Sequence, residues 1–358
     1  MSKLNRLLYN WVSRQNDPPP LAIARIGVGT AFLLDWFNKV DRREASFDRD
    51  LFHYPWADWL PVLPSEYASL SFILWFVGTV GLIVGYHTRI SGAIAIIGNG
   101  LYFFADRQNY SNHGYLLLLL IFLLTLADSG AALSLDSRRK QPRLVNAWAI
   151  DLLKIQLSIV YFFTFIVKIR PDWLSGALMY LNLNGPLAPY LTQIPGIYRG
   201  LALIALVAEA FLFWALWSKK WQELAFFVGF LLHVGILFSV KFTLGLISFG
   251  LLSISLYPLF INLPRDCVTI ILRQDLLQNP CFKLLKYLDW LDVIKFTIVS
   301  RSINTPWLSA IEPNGSEKVA LNALHRWLSL LPLTSLFSIV IHPYLIKKIK
   351  TKRQTSIS

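Results

Sequence analysis

The sequence predicts an all-α polytopic membrane protein: about eight transmembrane helices in a bundle, followed by a small α/β cytoplasmic tail domain. Three observations carry this reading. Hydrophobic residues make up 55% of the chain and charged residues only 15%, against about 25% charged in a soluble domain. Mean hydropathy is +0.49. The apolar residues are gathered into runs near the ~20 residues that cross a bilayer.

Residues 1–20 form a cytoplasmic N-terminal segment carrying Lys3, Arg6 and Arg14 and ending in Pro18-Pro19-Pro20. The first run, Leu21–Phe37, begins after those prolines, contains Arg25 and lacks a small-residue cleavage site. It therefore reads as a retained span rather than a cleaved signal peptide. Tyr67–Tyr86 and Arg89–Ala105 are separated only by His87 and Thr88, which predicts a tight helical hairpin. The remaining runs are Gly114–Leu133, Ala147–Val167, Tyr198–Trp217, Glu223–Val240 and Phe242–Ile261. We find no internal repeat and no low-complexity segment in the sequence.

Cationic loops mark the cytoplasmic side of a membrane. The N-terminal segment, the loop with Arg138, Arg139, Lys140 and Arg143, and the loop with Lys219 and Lys220 fall on one side if there are eight spans. This predicts an integral plasma (inner) membrane protein with both termini cytoplasmic. The net charge of +13 then reflects positive-inside loops and a basic tail, 346–358, lying on anionic lipid headgroups. Membrane lipids are the expected partners and nucleic acid is not. Cys267 and Cys281 both follow the last run, in neither a CxxC nor a zinc spacing, so no metal site is expected.

After the last run the pattern changes. Val268–Leu272 and Ile294–Val299 read as strands, Pro280–Leu291 and Lys318–Leu331 as amphipathic helices, and Pro313-Asn314-Gly315 as a turn. These define a small domain over 263–345.

Two stretches place ionisable groups at membrane depth, where they are costly and functional by default. In one, Asn112 and His113 open an apolar helix; in the other, Lys168 closes one. With the N-terminus inside, both fall at the outer face. The run that ends at Lys168 carries a polar stripe: Asp151, Lys154, Ser158, Tyr161, Thr164 and Lys168. Steps of three and four follow one helix face, which should look into the bundle or a watery cavity. Arg25, Glu209 and His233 are candidates to face it. A lysine held there as the neutral amine is a competent general base or nucleophile, and His113 suits proton transfer. Structural readings stand beside these: Lys168 snorkelling to the interface, His113 as a helix-entry residue, Arg25 pairing with Glu209, His233 as a satisfied core histidine, and Trp56, Trp59 and Trp173 as interface belt residues.

Asn112-His113-Gly114-Tyr115-Leu116 and the element from Val160-Tyr161 through Lys168 to Asp172-Trp173-Leu174-Ser175-Gly176 resemble the membrane domain of the vitamin K-dependent γ-carboxylases. That domain is shared with a wider bacterial group of horizontally transferred transmembrane (HTTM) proteins. Leu21–Gly27, Leu133-Ser134-Leu135-Asp136, and His233 ahead of Phe238 echo it more faintly, and the likeness covers residues 21–262 and a few before them. It implies Lys168 as the base toward vitamin K or another quinol, with His113 assisting; around them Asn112, Tyr161, Thr164, Trp173, His233, Glu209 and Arg25 are expected to bind substrate or line the cavity. The large outer domain with which the carboxylases bind their protein substrate has no counterpart here, which favours chemistry on a lipid-soluble molecule. Other members of the group act in maturation or export of a small secreted peptide. The tail resembles the thioredoxin-like DCC domains that accompany HTTM proteins, degenerate here because Arg273-Gln274-Asp275-Leu276-Leu277 stands where those carry CxxC. No redox activity is expected of it.

Overall fold

The computed structural model describes residues 3–48, 50–57, 59, 63–139, 144–261, 268–274, 279–282, 294–299, 306, 308–311 and 315–330. It divides into two compact units, residues 1–213 with 231–260, and residues 214–230 with 261–358.

The first unit is helical. A short amphipathic helix, α1 (Lys3–Ser13), precedes α2 (Pro19–Lys39), α3 (Glu66–Val84), α4 (Thr88–Ala105), α5 (Asn112–Leu126) and α6 (Ala147–Val167). Three short helices follow, α7 (Pro171–Leu174), α8 (Ala177–Asn182) and α9 (Ala188–Leu191), then α10 (Ile197–Ala215), α11 (Gln222–Ser239) and α12 (Leu244–Ser255), of which the end of α10 from Trp214 and the part of α11 up to Phe230 are counted in the second unit. All eight apolar runs are therefore helical. Among the described residues, five helices are long and apolar enough to cross a membrane: Pro19–Arg42, Glu66–Val84, Ala147–Val167, Ile197–Ala215 and Gln222–Ser239. Asn112–Leu126 and Leu244–Phe260 are apolar but shorter. The helix α4, with Arg89 and Asn99, falls outside both groups.

Helix ends follow local chemistry. Pro19 and Pro20 occupy the first turn of α2, where a missing N–H costs nothing. Ser111 caps α5 by accepting from the Gly114 N–H at 3.2 Å, and Thr243 caps α12 by accepting from the Leu246 N–H at 3.3 Å, each supplying an acceptor to an orphan donor. Gly85, at φ +73°, ends α3 in the left-handed conformation, and the Tyr86 N–H reaches back to the Gly81 carbonyl at 2.9 Å, as such a cap requires.

Small residues let the helices approach, the usual device where lipid offers no hydrophobic drive. A Cβ at Gly78 would strike the Ser91 and Ala95 backbone, and one at Gly98 would strike the Ser71 and Trp75 backbone. Ser71 Oγ donates to the Gly98 carbonyl at 2.7 Å, closing the α3–α4 hairpin. Ser248 Oγ donates to the Ala31 carbonyl at 2.7 Å, joining α12 to α2.

The run expected to continue to Leu133 leaves the helix at Leu126. The turn that follows is gathered by Arg25, which is fully buried. Its guanidinium donates to the carbonyls of Ser129 at 2.5 Å, Leu133 at 2.6 Å, Ala132 at 3.3 Å and Ile83 at 3.5 Å. Asp136 then accepts from the His87 and Thr88 N–H groups at 2.9 and 3.0 Å, placing a carboxylate at the N-terminus of α4.

Among its described residues the second unit holds a four-stranded sheet. β3 (Val268–Arg273) pairs in parallel with β4 (Ile294–Val299), and β5 (Leu308–Ile311) lies antiparallel to β3 with β6 (Glu317–Val319) antiparallel to β5. The order is β4-β3-β5-β6; a two-residue pair, β1 (Gln15–Asn16) with β2 (Val145–Asn146), belongs to the first unit. Strands β3 and β4 fall on the two expected ones. The helix expected over Lys318–Leu331 instead spans Leu321–Leu330, as α13. Residues 317–319 are taken into the sheet by pairing with β5, and Ala320 at φ +53° makes the turn between them. Trp327 is fully buried, against Phe282 and Phe296. The expected helix Pro280–Leu291 lies outside the described residues beyond its first turn, as do Cys267, Pro313, Asn314 and the basic tail.

Candidate functional site

Lys168 is the C-cap of α6. Its Nζ donates to both carboxylate oxygens of Glu209, on α10, at 2.7 Å each. The side chains retain 15% and 8% of their exposure, so the pair is largely withdrawn from solvent. The Trp173 ring lies 4.9 Å from Nζ, within cation–π range, and the indole N–H donates to the Ala202 carbonyl at 2.9 Å. Pro171 opens α7 and carries Trp173 there, one turn beyond Lys168. Thr164 turns its hydroxyl onto the Val160 carbonyl at 2.9 Å.

Deeper along α6 the stripe meets other elements. Tyr161, nearly fully buried, places its hydroxyl 3.1 Å from His233 Nε2 on α11 and 2.7 Å from the Tyr257 hydroxyl. Lys154 Nζ sits 5.5 Å from the Phe260 ring. Asp151 accepts from the Trp11 indole at 2.9 Å and pairs with Arg14. The stripe thus has protein partners along its length, as an inward-facing set requires.

His113 lies elsewhere. Its Nε2 is 3.5 Å from Asp35 Oδ1 on α2, and Lys39 Nζ donates to Asp35 Oδ2 at 2.7 Å. Asp35 is fully buried. Lys39 Nζ lies 5.9 Å from the Trp75 ring and 5.7 Å from the Tyr102 ring. Among the described residues no hydrogen bond or ion pair joins His113 to Lys168; each holds its own carboxylate. Asn112 is exposed on the first turn of α5. Arg25 does not meet Glu209. It binds backbone carbonyls instead, and the two echoes Leu21–Gly27 and Leu133–Asp136 come together in that carbonyl-binding turn. Among the interface tryptophans, Trp59 is 82% exposed, whereas Trp56 stacks on Phe103 and donates to its carbonyl at 2.9 Å.

The sequence reading missed Asp35 and Lys39, although an acid and a base four apart at the end of an apolar run is a legible ion-pair signal. It also missed Tyr257, which nothing local distinguishes, and His53, whose Nδ1 meets Asp106 at 2.8 Å and Nε2 the Asp48 carbonyl at 2.6 Å. Beside them, Arg42, Ser46, Phe52, Tyr102, Asp106 and Asn109 line a cavity of about 450 Å³. Among the described residues no group of three or more His, Cys, Asp or Glu is placed to hold a metal.

The HTTM domain family model matches residues 13–263. No solved structure matches the chain.

Proposed function

The chain belongs to the HTTM domain family, and from that premise we propose that it is a membrane enzyme taking a proton from a lipid-soluble, quinol-like substrate at the Lys168–Glu209 pair. The observation that carries this is the bidentate pairing of a lysine and a glutamate from two apolar helices, with an indole face against the amine. An amine suits a phenolic hydroxyl, and Trp173 offers a ring face. The resemblance to the vitamin K-dependent γ-carboxylases supports vitamin K hydroquinone or a related quinol as the substrate class.

Proton counting shapes the mechanism. In the salt-bridged form Lys168 already holds its proton, so it is no base. Moving that proton to Glu209 leaves a neutral amine beside a carboxylic acid, a form in which neither partner bears the desolvation cost of a charge. The amine then takes the substrate's hydroxyl proton, and the resulting ammonium faces the oxyanion. Glu209 is thereby part of the base. His113, oriented by Asp35, serves as a second proton carrier.

The same reading has eight spans, both termini in the cytoplasm and Lys168 at the outer face of the plasma membrane, supported by the three cationic loops. It includes a thioredoxin-like tail, supported by a parallel strand pair extended by two antiparallel strands, and without redox function because paired cysteines are missing after β3.

A second reading is a non-enzymatic maturation or scaffold protein for an exported peptide. The observation favouring it is that Lys168 and His113 each face a separate carboxylate, Glu209 at 2.7 Å and Asp35 at 3.5 Å, an arrangement that suffices to fix helices.

Dioxygen oxidises a quinol anion far faster than the neutral quinol, forming quinone and hydrogen peroxide, so the test is oxygen uptake by the purified protein in lipid nanodiscs supplied with menaquinol and air. Uptake lost in Lys168→Ala and Glu209→Gln, with the elution profile unchanged, supports the enzyme. Equal rates in wild type, variants and empty nanodiscs overturn it for quinols. A small peptide co-purifying equally with wild type and Lys168→Ala supports the scaffold reading.

A further inference from the structure

From Trp173 to Tyr198 the chain carries no charged residue. This stretch joins the Lys168 end of α6 to the start of α10, folds as α8 and α9 with turns between them, and exposes large apolar side chains. Tyr180 is 66% exposed, Leu181 68% and Tyr190 72%, with Leu187 and Ile194 also exposed. A connection facing water is ordinarily polar, so twenty-six uncharged residues with exposed aromatic and aliphatic groups need another solvent.

We propose that residues 173–196 form an interfacial element, lying in the headgroup and upper acyl region of the leaflet that holds Lys168. Three observations support lipid as the occupant. First, the apolar helices at either end of the element also expose large apolar side chains: Phe163 and Val167 on α6, and Ile204 and Val207 on α10. Second, many of its backbone N–H groups are held by protein acceptors, which suits a low-water environment. Besides its own helical bonds, the Gly185 N–H donates to the Ser239 carbonyl at 2.9 Å and the Leu187 N–H to the Phe238 carbonyl at 3.0 Å. The Asn184 side chain accepts from the Lys241 N–H at 2.6 Å. These tie the element to the end of α11. Third, the charges resume only at its margins, with Arg170 and Asp172 paired at 3.3 Å before it and Arg199 after it. Tyrosines between such margins are the interface pattern. Placement in the leaflet does not depend on what Lys168 does. If the functional reading above holds, this element, through Trp173, puts the approach to Lys168 within lipid rather than water.

The test uses the full chain with Cys267→Ser and Cys281→Ser. Single cysteines at Leu181, Tyr190 and, as a control in a charged loop, Glu44 are labelled with bimane and reconstituted into phosphatidylcholine vesicles. Quenching is measured with shallow doxyl-labelled lipid and with iodide. The expected result is at least threefold stronger lipid quenching at Leu181→Cys and Tyr190→Cys than at Glu44→Cys, with iodide quenching reduced similarly. Iodide quenching equal to that of Glu44→Cys overturns the proposal in favour of an aqueous loop. Protection from both quenchers overturns it in favour of a protein partner. The two sites lie on different helices, so failure of one variant to fold leaves the other to decide.

Discussion

The Lys168–Glu209 pair makes a strong prediction about stability. It joins α6 to α10 across 41 positions, with both oxygens at 2.7 Å and both side chains largely covered. Breaking a buried pair from one side strands the other charge, at a cost of about 3–5 kcal/mol, whereas replacing both partners with apolar residues is often near neutral. The residual exposure of Lys168 places each single variant toward the low end, about 3 kcal/mol. Lys168→Met and Glu209→Leu should therefore each lower the melting temperature in nanodiscs by roughly 6–12 °C, at about 2–4 °C per kcal/mol for a chain of this order of size. The double variant should recover to within about 1 kcal/mol of wild type, giving a coupling energy of about 5 kcal/mol, well beyond the ~0.5 kcal/mol departure expected of independent sites. Single variants that each cost under about 1 kcal/mol and add in the double variant would refute the reasoning, because the two charges would then be solvated independently.

Other sites give sharper local tests. Arg25→Met leaves four backbone carbonyls without their donor and should cost at least about 1–3 kcal/mol, the penalty for stranding a buried acceptor, read as loss of monodisperse elution on heating. Gly98→Val forces α3 and α4 apart at the Ser71–Trp75 backbone; overpacking of this kind costs about 1–3 kcal/mol, visible as a lower melting temperature that Gly100→Val, with open space around it, should not share. Tyr257→Phe removes the 2.7 Å partner of the Tyr161 hydroxyl and should cost about 1–3 kcal/mol, with melting as readout. In the tail unit, Trp327→Ala empties a site packed by Phe282 and Phe296 and should cost about 3–5 kcal/mol, followed by protease cleavage within the tail.

The sequence alone determined the membrane class, the eight helical runs and the inward face of α6. These are written in local hydropathy and in the 3.6-residue period, which need no knowledge of neighbours. It also marked Lys168, His113, Arg25, Glu209 and His233 as unusual, because a charge or polar group in an apolar run is conspicuous wherever the run packs. Tertiary structure decided the partners. Glu209 meets Lys168 and not Arg25; Arg25 gathers the carbonyls after α5; His113 turns to Asp35; Tyr161 finds both His233 and Tyr257. Partner choice depends on which helices approach, at what height and in what rotation, and the small-residue contacts that set this lie far apart in the chain. The tail shows the same division. Strands β3 and β4 were legible from their own β-branched runs, but residues 317–319 became a strand only because β5 offered an open edge, a condition no local pattern contains.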